Sequence, residues 1–381
     1  MWRVAFSKLL FLSMVLFLAA PFFSTAQEVH QDVQERAAAE VLEVVSEEEQ
    51  EITGTDATRI VQTVRIKFTS GSREGEFDTI TNEVVTLAPG DKIFVNRIVD
   101  ISGAETITYA DFERRPTLVA VTLLFVIILL ALSRWQAVRA LLSLLGSIAA
   151  ILFLLVPALL AGYDPAFTTV AVSAVVLAFV LFGTHGFNPI TTIAFGGVFG
   201  AVLVTGVIAY VSVTFMRLTG FSNDASVYLN FATNGQLDLA GLLLGSIIIG
   251  ILGVLDDVSI TQAAVVQELK LANPALKAKE LYERALKVGR AHIGSLVNTL
   301  ALAYTGVSLP LILLYAKTDN NIWQILNQEV IAVELIRIII GSIGLILAVP
   351  LTTAVAAWYY NDRIVLEGDG HGHSHGHTHT H

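Results

Sequence analysis

Cysteine is absent from all 381 residues. That removes disulfides, thiolate metal ligands and thiol catalysis together. Charge is scarce as well: 15% of residues are Asp, Glu, Lys or Arg, against about 25% in an ordinary soluble domain. No segment gathers basic residues into the stripe that a nucleic acid requires, so no nucleic-acid partner is expected. No phosphate-cradling GxxxxGK[S/T] loop occurs, which argues against ATP-driven transport by this chain alone.

Hydrocarbon takes the place of charge. The chain is 54% hydrophobic with a mean hydropathy of +0.68. Several apolar runs approach the roughly 20 residues needed to cross a bilayer. The reading is a polytopic membrane protein: an all-α bundle of seven spans after a signal peptide, with a small all-β extracytoplasmic domain.

The net charge of −10 is unevenly placed, because residues 27–115 carry 19 acidic against 9 basic residues. Residues 1–26 have Arg3 and Lys8, a short apolar stretch and Ser24-Thr25-Ala26, the three parts of a cleavable signal peptide. An uncleaved anchor helix is the alternative. Residues 27–57 are acidic and poor in aromatics, which reads as a flexible or loosely helical linker. From residue 58 to 115 the period changes. In VRIKF, Val64, Ile66 and Phe68 alternate with Arg65 and Lys67, the mark of a half-buried strand. Turn-forming SGSREGE and APGD separate further strands.

The bundle occupies residues 116–360. Its seven expected spans cover roughly 117–133, 140–161, 166–183, 190–214, 239–258, 292–315 and 332–357. The longest connection, 259–291, holds Lys270, Lys277, Lys279, Arg284, Lys287 and Arg290. Positive residues stay in the cytoplasm, so this loop lies inside, the β domain outside and the C-terminus inside. Asn273 before Pro274, with Glu280/Arg284 and Glu283/Lys287 four apart, predicts an amphipathic helix over 275–289 along the inner membrane surface.

One short stretch concentrates the chemistry. GVLDDVSITQ puts Asp256 and Asp257 side by side in apolar surroundings. On a helical wheel, Gly241, Gly245, Ser246, Gly250, Gly253, Asp256, Asp257 and Ser259 share one half. Leu243, Leu244, Ile247, Ile248, Ile251, Val254, Leu255 and Val258 share the other. Small residues let helices approach and branched ones suit lipid, so the small half is expected to face protein, with Asp256 on the buried side and Asp257 at its edge. Intramembrane carboxylates mark ion or proton paths, and their simpler role would be to end a helix at the headgroups. In GRAHIGSLVNTLALAYTG, Asn298 and Thr299 share a small polar arc with His292 at its rim. They read either as interhelical hydrogen-bonding groups or as partners of the aspartates. Gly196 and Gly200 are a further packing pair.

GILGVLDDVSITQAAVVQEL and GRAHIGSLVNTLALAYTGVSLPLILLY resemble the two signature stretches of YibE/F-like membrane proteins, and the resemblance extends over about 116–360. It implies a multi-pass protein of the bacterial plasma membrane, names no reaction, and carries over Gly253, Asp256, Asp257, Asn298 and Thr299. The tail at 361–381 stands apart. His371, His373, His375, His377, His379 and His381 alternate with small residues, a composition suited to buffering a divalent transition metal.

The leading functional expectation is a permease for a small solute or ion, coupled to a divalent metal or a proton and using the aspartate pair. The alternative is a non-transporting membrane module whose β domain binds an external partner. An enzyme is not expected. Adjacent aspartates diverge by about 100°, and Asp238 and Glu334 lie at the opposite membrane face from them. The lipid bilayer is the certain partner, and a second copy of the chain is a candidate one.

Overall fold

A computed structural model describes residues 33–51, 54, 58–99, 104–318 and 321–363. The expected signal peptide at 1–26 and the histidines from His371 to His381 lie outside the described residues. The described residues divide into two compact units, one on either side of the Leu132–Ser133 bond.

The first unit is a five-stranded antiparallel sheet of β1 (Val33–Glu51), β2 (Thr58–Phe68), β3 (Phe77–Asn82), β4 (Lys92–Val99) and β5 (Glu105–Phe112), in the order β3-β2-β1-β4-β5. Most of the expected linker is therefore the central strand. β1 pairs with β4 through Val33–Glu40 and with β2 through Ala39–Glu51. Alanine and glutamate are good helix formers, and the segment lacks the bulky alternation that marks VRIKF. What makes it a strand is non-local. Ala37, Ala39 and Val41 bury against Ile66, Phe68, Ile93 and Val95. The glutamates meet partners on β2: Glu47 accepts from Gln62 Nε2 at 2.7 Å and Glu49 from Thr58 Oγ1 at 2.6 Å.

An ionic cluster ties this sheet together. Arg97 on β4 bonds Glu105 on β5 and Glu35 on β1, the latter at 3.1 Å. Arg73, in the β2–β3 turn, reaches Asp78 at 2.8 Å and Glu105 at 3.1 Å. Glu35 also accepts from the Ser72 amide at 2.6 Å. Hydrogen bonds from Ser72, and then Arg97, hold the Glu35 carboxyl below its usual range. Arg97, followed by Arg73, does the same for Glu105. A carboxyl whose pKa falls on folding stabilises the fold above its unfolded pKa, near 4.3, and that contribution disappears as pH drops through the folded value. Amide protection across residues 33–112 is thus expected to hold between pH 8 and 5 and to fall below about pH 4.5. Glu35→Gln together with Glu105→Gln should flatten this acid limb, as read by hydrogen exchange corrected for intrinsic rates.

The second unit is helical, and its first helix begins within the first unit, at Arg115. With the chain between the units included, its elements are α1 (Arg115–Ala150), a π turn (Ile151–Leu155), α2 (Val156–Leu160), α3 (Pro165–Ala178), a second π turn (Phe179–Gly183), α4 (Pro189–Phe215), α5 (Asp224–Ala232), α6 (Leu239–Ala272), α7 (Ala278–Val307), α8 (Leu309–Ala316), α9 (Ile322–Leu326) and α10 (Glu329–Tyr360). Helix starts follow local chemistry. Asp164 and Asn188 accept from the third amide beyond them, each just before a proline. Asp238 caps α6 in the same way through the Gly241 amide, so this carboxylate is structural.

Among the described residues five helices are long and apolar enough to cross a membrane, or six if α7 and α8, bent by 65°, form one span. The expected seven differ at the front, where 117–133 and 140–161 fall in one helical run, Arg115–Leu160. Arg134, with φ 48° and ψ −122°, kinks that run.

The 259–291 loop is also corrected. α6 continues to Ala272 and α7 starts at Ala278, leaving five residues between. Ser259, Gln262, Val266, Gln267 and Lys270 face the bundle and carry the helix on. Asn273 closes α6 rather than opening the next helix. The amphipathic stretch is the first part of α7, where Leu281, Ala285 and Gly289 bury against the bundle.

Candidate functional site

α6 is the hub, touching α3, α4, α7 and α10. Its orientation reverses most of the wheel reading. Leu243, Leu244, Ile247, Ile248, Ile251, Leu255 and Val258, expected to face lipid, are buried in the core. Ser246, Gly250 and Gly253, expected to face protein, and Asp257, expected at the edge of that face, are exposed, meaning uncovered by the chain's own atoms. A helix enclosed by four others uses its bulky side chains as core, and the small-residue rule applies only where two backbones touch.

Such touching occurs at some of the expected glycines. A Cβ on Gly245 would lie 2.5 Å from Thr169 Oγ1, and one on Gly241 would lie 3.0 Å from Pro165 Cγ, both on α3. Gly250 makes room for the Tyr304 hydroxyl of α7. Gly196 has only Val355 at 4.0 Å, and Gly200 and Gly253 have nothing within 4 Å, so these last two are not packing positions within the chain. The tightest approach was not anticipated: Gly197 on α4 lies against Thr352 on α10.

Asp256 and Asp257 part company. Asp257 is exposed, whereas Asp256 is half-buried and its Oδ1 is enclosed without a hydrogen-bond partner. His292, Asn298 and Thr299 on α7 are exposed, and Thr299 Oγ1 donates to its own helix at Ser295 O, 2.9 Å away. No hydrogen bond or ion pair joins these three to either aspartate among the described residues. Nor could any group of three or more His, Asp or Glu among them hold a metal ion.

Below Asp256 runs a polar ladder that the sequence reading missed. Ser259 meets Thr352 at 3.0 Å. Gln262 Nε2 donates to Thr353 Oγ1 and to Ala285 O, both at 2.8 Å. Gln267 accepts from the Tyr360 hydroxyl at 2.9 Å. Lys270 Nζ caps Leu276 O at 2.8 Å and Asn361 O at 3.0 Å. On α6 this ladder is satisfied throughout, which isolates Asp256 as the unsatisfied group of that helix.

A family model described as YibE/F-like protein matches residues 121–362. The chain belongs to the YibE/F-like family. The matched YibE/F-like segment contains both aspartates, the ladder and the α7 polar residues, and it leaves the β sheet outside. No curated protein and no solved structure matches the chain.

The YibE/F-like segment also holds an ion pair on a long apolar helix. Glu334 and Arg337 on α10 pair at 2.7 Å, Ser308 Oγ donates to Glu334 at 3.0 Å, and the guanidinium lies 5.9 Å from the Tyr304 ring centroid. The signal was legible, since opposite charges three apart in an apolar run form a self-neutralising pair. Each buried oxygen here has a partner, unlike Asp256.

Proposed function

We propose that this chain is a membrane permease for a cation or small solute, with Asp256 as the group that binds the coupling or transported cation. One observation carries the reading. A carboxylate oxygen enclosed without a donor is costly, and binding a cation or a proton removes that cost. Occupancy then changes the charge beside the α6 packing surface, which is how a bound ion biases one helix arrangement over another. Asp257, Ser295, Asn298 and Thr299 are uncovered polar groups. Such groups avoid lipid and line an aqueous approach or meet a second copy of the chain.

Seven crossings suit this reading. Arg115–Leu160 has 46 residues, about 69 Å of helix against a hydrocarbon core of about 30 Å. The break at Arg134 therefore divides it into two passes. With the bent α7–α8 pair counted as the sixth pass, the positive-inside rule favours the β domain outside and Lys270, Lys277, Lys279, Arg284, Lys287 and Arg290 inside, with Arg134 and Arg139 on the same inner side.

The test is flux into proteoliposomes. Asp256→Asn keeps the shape and removes the charge, and transport is expected to fall at least about tenfold, the equivalent of one lost charge-assisted contact. Asp257→Asn should have the smaller effect. Equal flux in Asp256→Asn and wild-type vesicles would remove this carboxylate from the mechanism.

A further inference from the structure

Several buried hydroxyls in this bundle find an acceptor in their own helix. Ser147 donates to Ser143 O, Thr205 to Ala201 O and Thr353 to Val349 O, each four residues back. Thr169 and Ser173, both on α3 and both 0% exposed, do not, and neither hydroxyl has any partner. Within a bilayer no solvent compensates for such a loss, and the back-bond that would satisfy each of them is the commonest arrangement for these residues.

Their position is defined by two close approaches. Pro165 lies against Gly241, and Thr169 against Gly245. Each pair advances by four residues, so α3 and α6 run parallel and in step along this seam. Ser173, one turn beyond Thr169, continues it. On α6, Asp256 stands eleven residues after Gly245, almost three full turns, and thus points along the same seam about 16 Å further on. The π turn Phe179–Gly183, which ends this run of α3, also touches α6. Leu252, buried on the same line of α6, separates the hydroxyls from Asp256. The seam therefore carries three of the four unpartnered buried side-chain oxygens among the described residues.

We propose that Thr169 Oγ1 and Ser173 Oγ supply two oxygen ligands of a binding site for a partly dehydrated monovalent cation, Na⁺ rather than a divalent metal, on the same seam as Asp256. Neutral hydroxyl oxygens are hard donors, suited to an alkali cation and too weakly charged to strip a divalent ion of its water. Residues four apart on a helix hold their Cβ atoms about 5–6 Å from one another, a gap that one ion can bridge. The site deepens the permease reading and rests on it for its purpose, while its existence is separately testable.

The experiment measures Tm of the full-length protein in nanodiscs, in NaCl or choline chloride at constant ionic strength. A ligand that binds only the folded state raises Tm saturably. Na⁺ is expected to raise it by about 2 °C or more in the wild type, and by as much in Thr169→Ser and in Asp256→Asn. Thr169→Val combined with Ser173→Ala should abolish the shift while melting in choline no lower than the wild type, because apolar replacements relieve two unsatisfied hydroxyls. Direct ²²Na⁺ binding should follow the same order. Equal melting in Na⁺ and choline, or a shift retained by the double variant, would overturn the proposal and assign the hydroxyls to a structural water. A Na⁺ shift that survives alongside unchanged flux in Asp256→Asn would sink the role of Asp256 while leaving this site intact.

Discussion

Gly197→Ala is expected to destabilise the helical unit by about 3 kcal/mol and to abolish transport with it. A Cβ at this position would press on the Thr352 hydroxyl and lie 2.7 Å from Thr352 Cα. Backbone cannot swing aside as the tip of a side chain can, so α4 and α10 must separate. Thr352 also accepts no displacement freely, because its hydroxyl is bonded to Ser259 at 3.0 Å and the next residue, Thr353, to Gln262 at 2.8 Å. The polar ladder below Asp256 would open together with the helix contact. Gly200→Ala, one turn away on the same helix, is the control. Nothing lies within 4 Å of a Cβ there, and replacing a helical glycine by alanine is favourable by up to about 1 kcal/mol. Detergent-titration unfolding should thus move in opposite directions for the two variants. Equal midpoints would show that α4 and α10 do not approach as described.

The second large effect concerns the sheet. A soluble fragment of residues 58–112 is expected to be unfolded, and one of residues 27–112 folded, by circular dichroism and amide dispersion. Without β1, strands β2 and β4 lose their common partner, and Ile66, Phe68, Ile93 and Val95 lose the Ala37, Ala39 and Val41 surface that covers them. Removing the middle of a five-stranded sheet forfeits more than the roughly 5–15 kcal/mol by which a domain is stable. Val41→Asp in the longer fragment should have the same outcome, since Val41 is fully buried and an unpaired buried carboxylate is not tolerated. A folded 58–112 fragment would refute the central role of β1.

Hydropathy and local chemistry were sufficient for several features. The apolar runs identified the helices because the bilayer's demand for about 20 apolar residues leaves a one-dimensional record. The helix starts at Asp164 and Asn188 follow from residues three apart, a local relation. The alternation in VRIKF located β2 for the same reason. Failure came wherever a long-range partner decided the outcome. β1 looks like a linker until β2 and β4 flank it, because its alanines are large enough to cover a core only when two neighbours supply the bulk. The 259–272 stretch looks like a loop until Thr352, Thr353 and Tyr360 satisfy its polar side chains.

The candidate site divides along the same line. Sequence alone singled out Asp256 and Asp257, since two carboxylates in an apolar run stand out whatever surrounds them. The wheel set Asp256 on the covered side with Asp257 at its edge, but it assigned the bulky half of α6 to lipid, because leucine is equally at home in lipid and in a protein core. Only the tertiary structure left Asp256 Oδ1 enclosed without a partner, uncovered Asp257, and buried the unpartnered hydroxyls of Thr169 and Ser173. The physical reason is that burial of a polar atom depends on the full set of helices around it, whereas composition and period report one helix at a time.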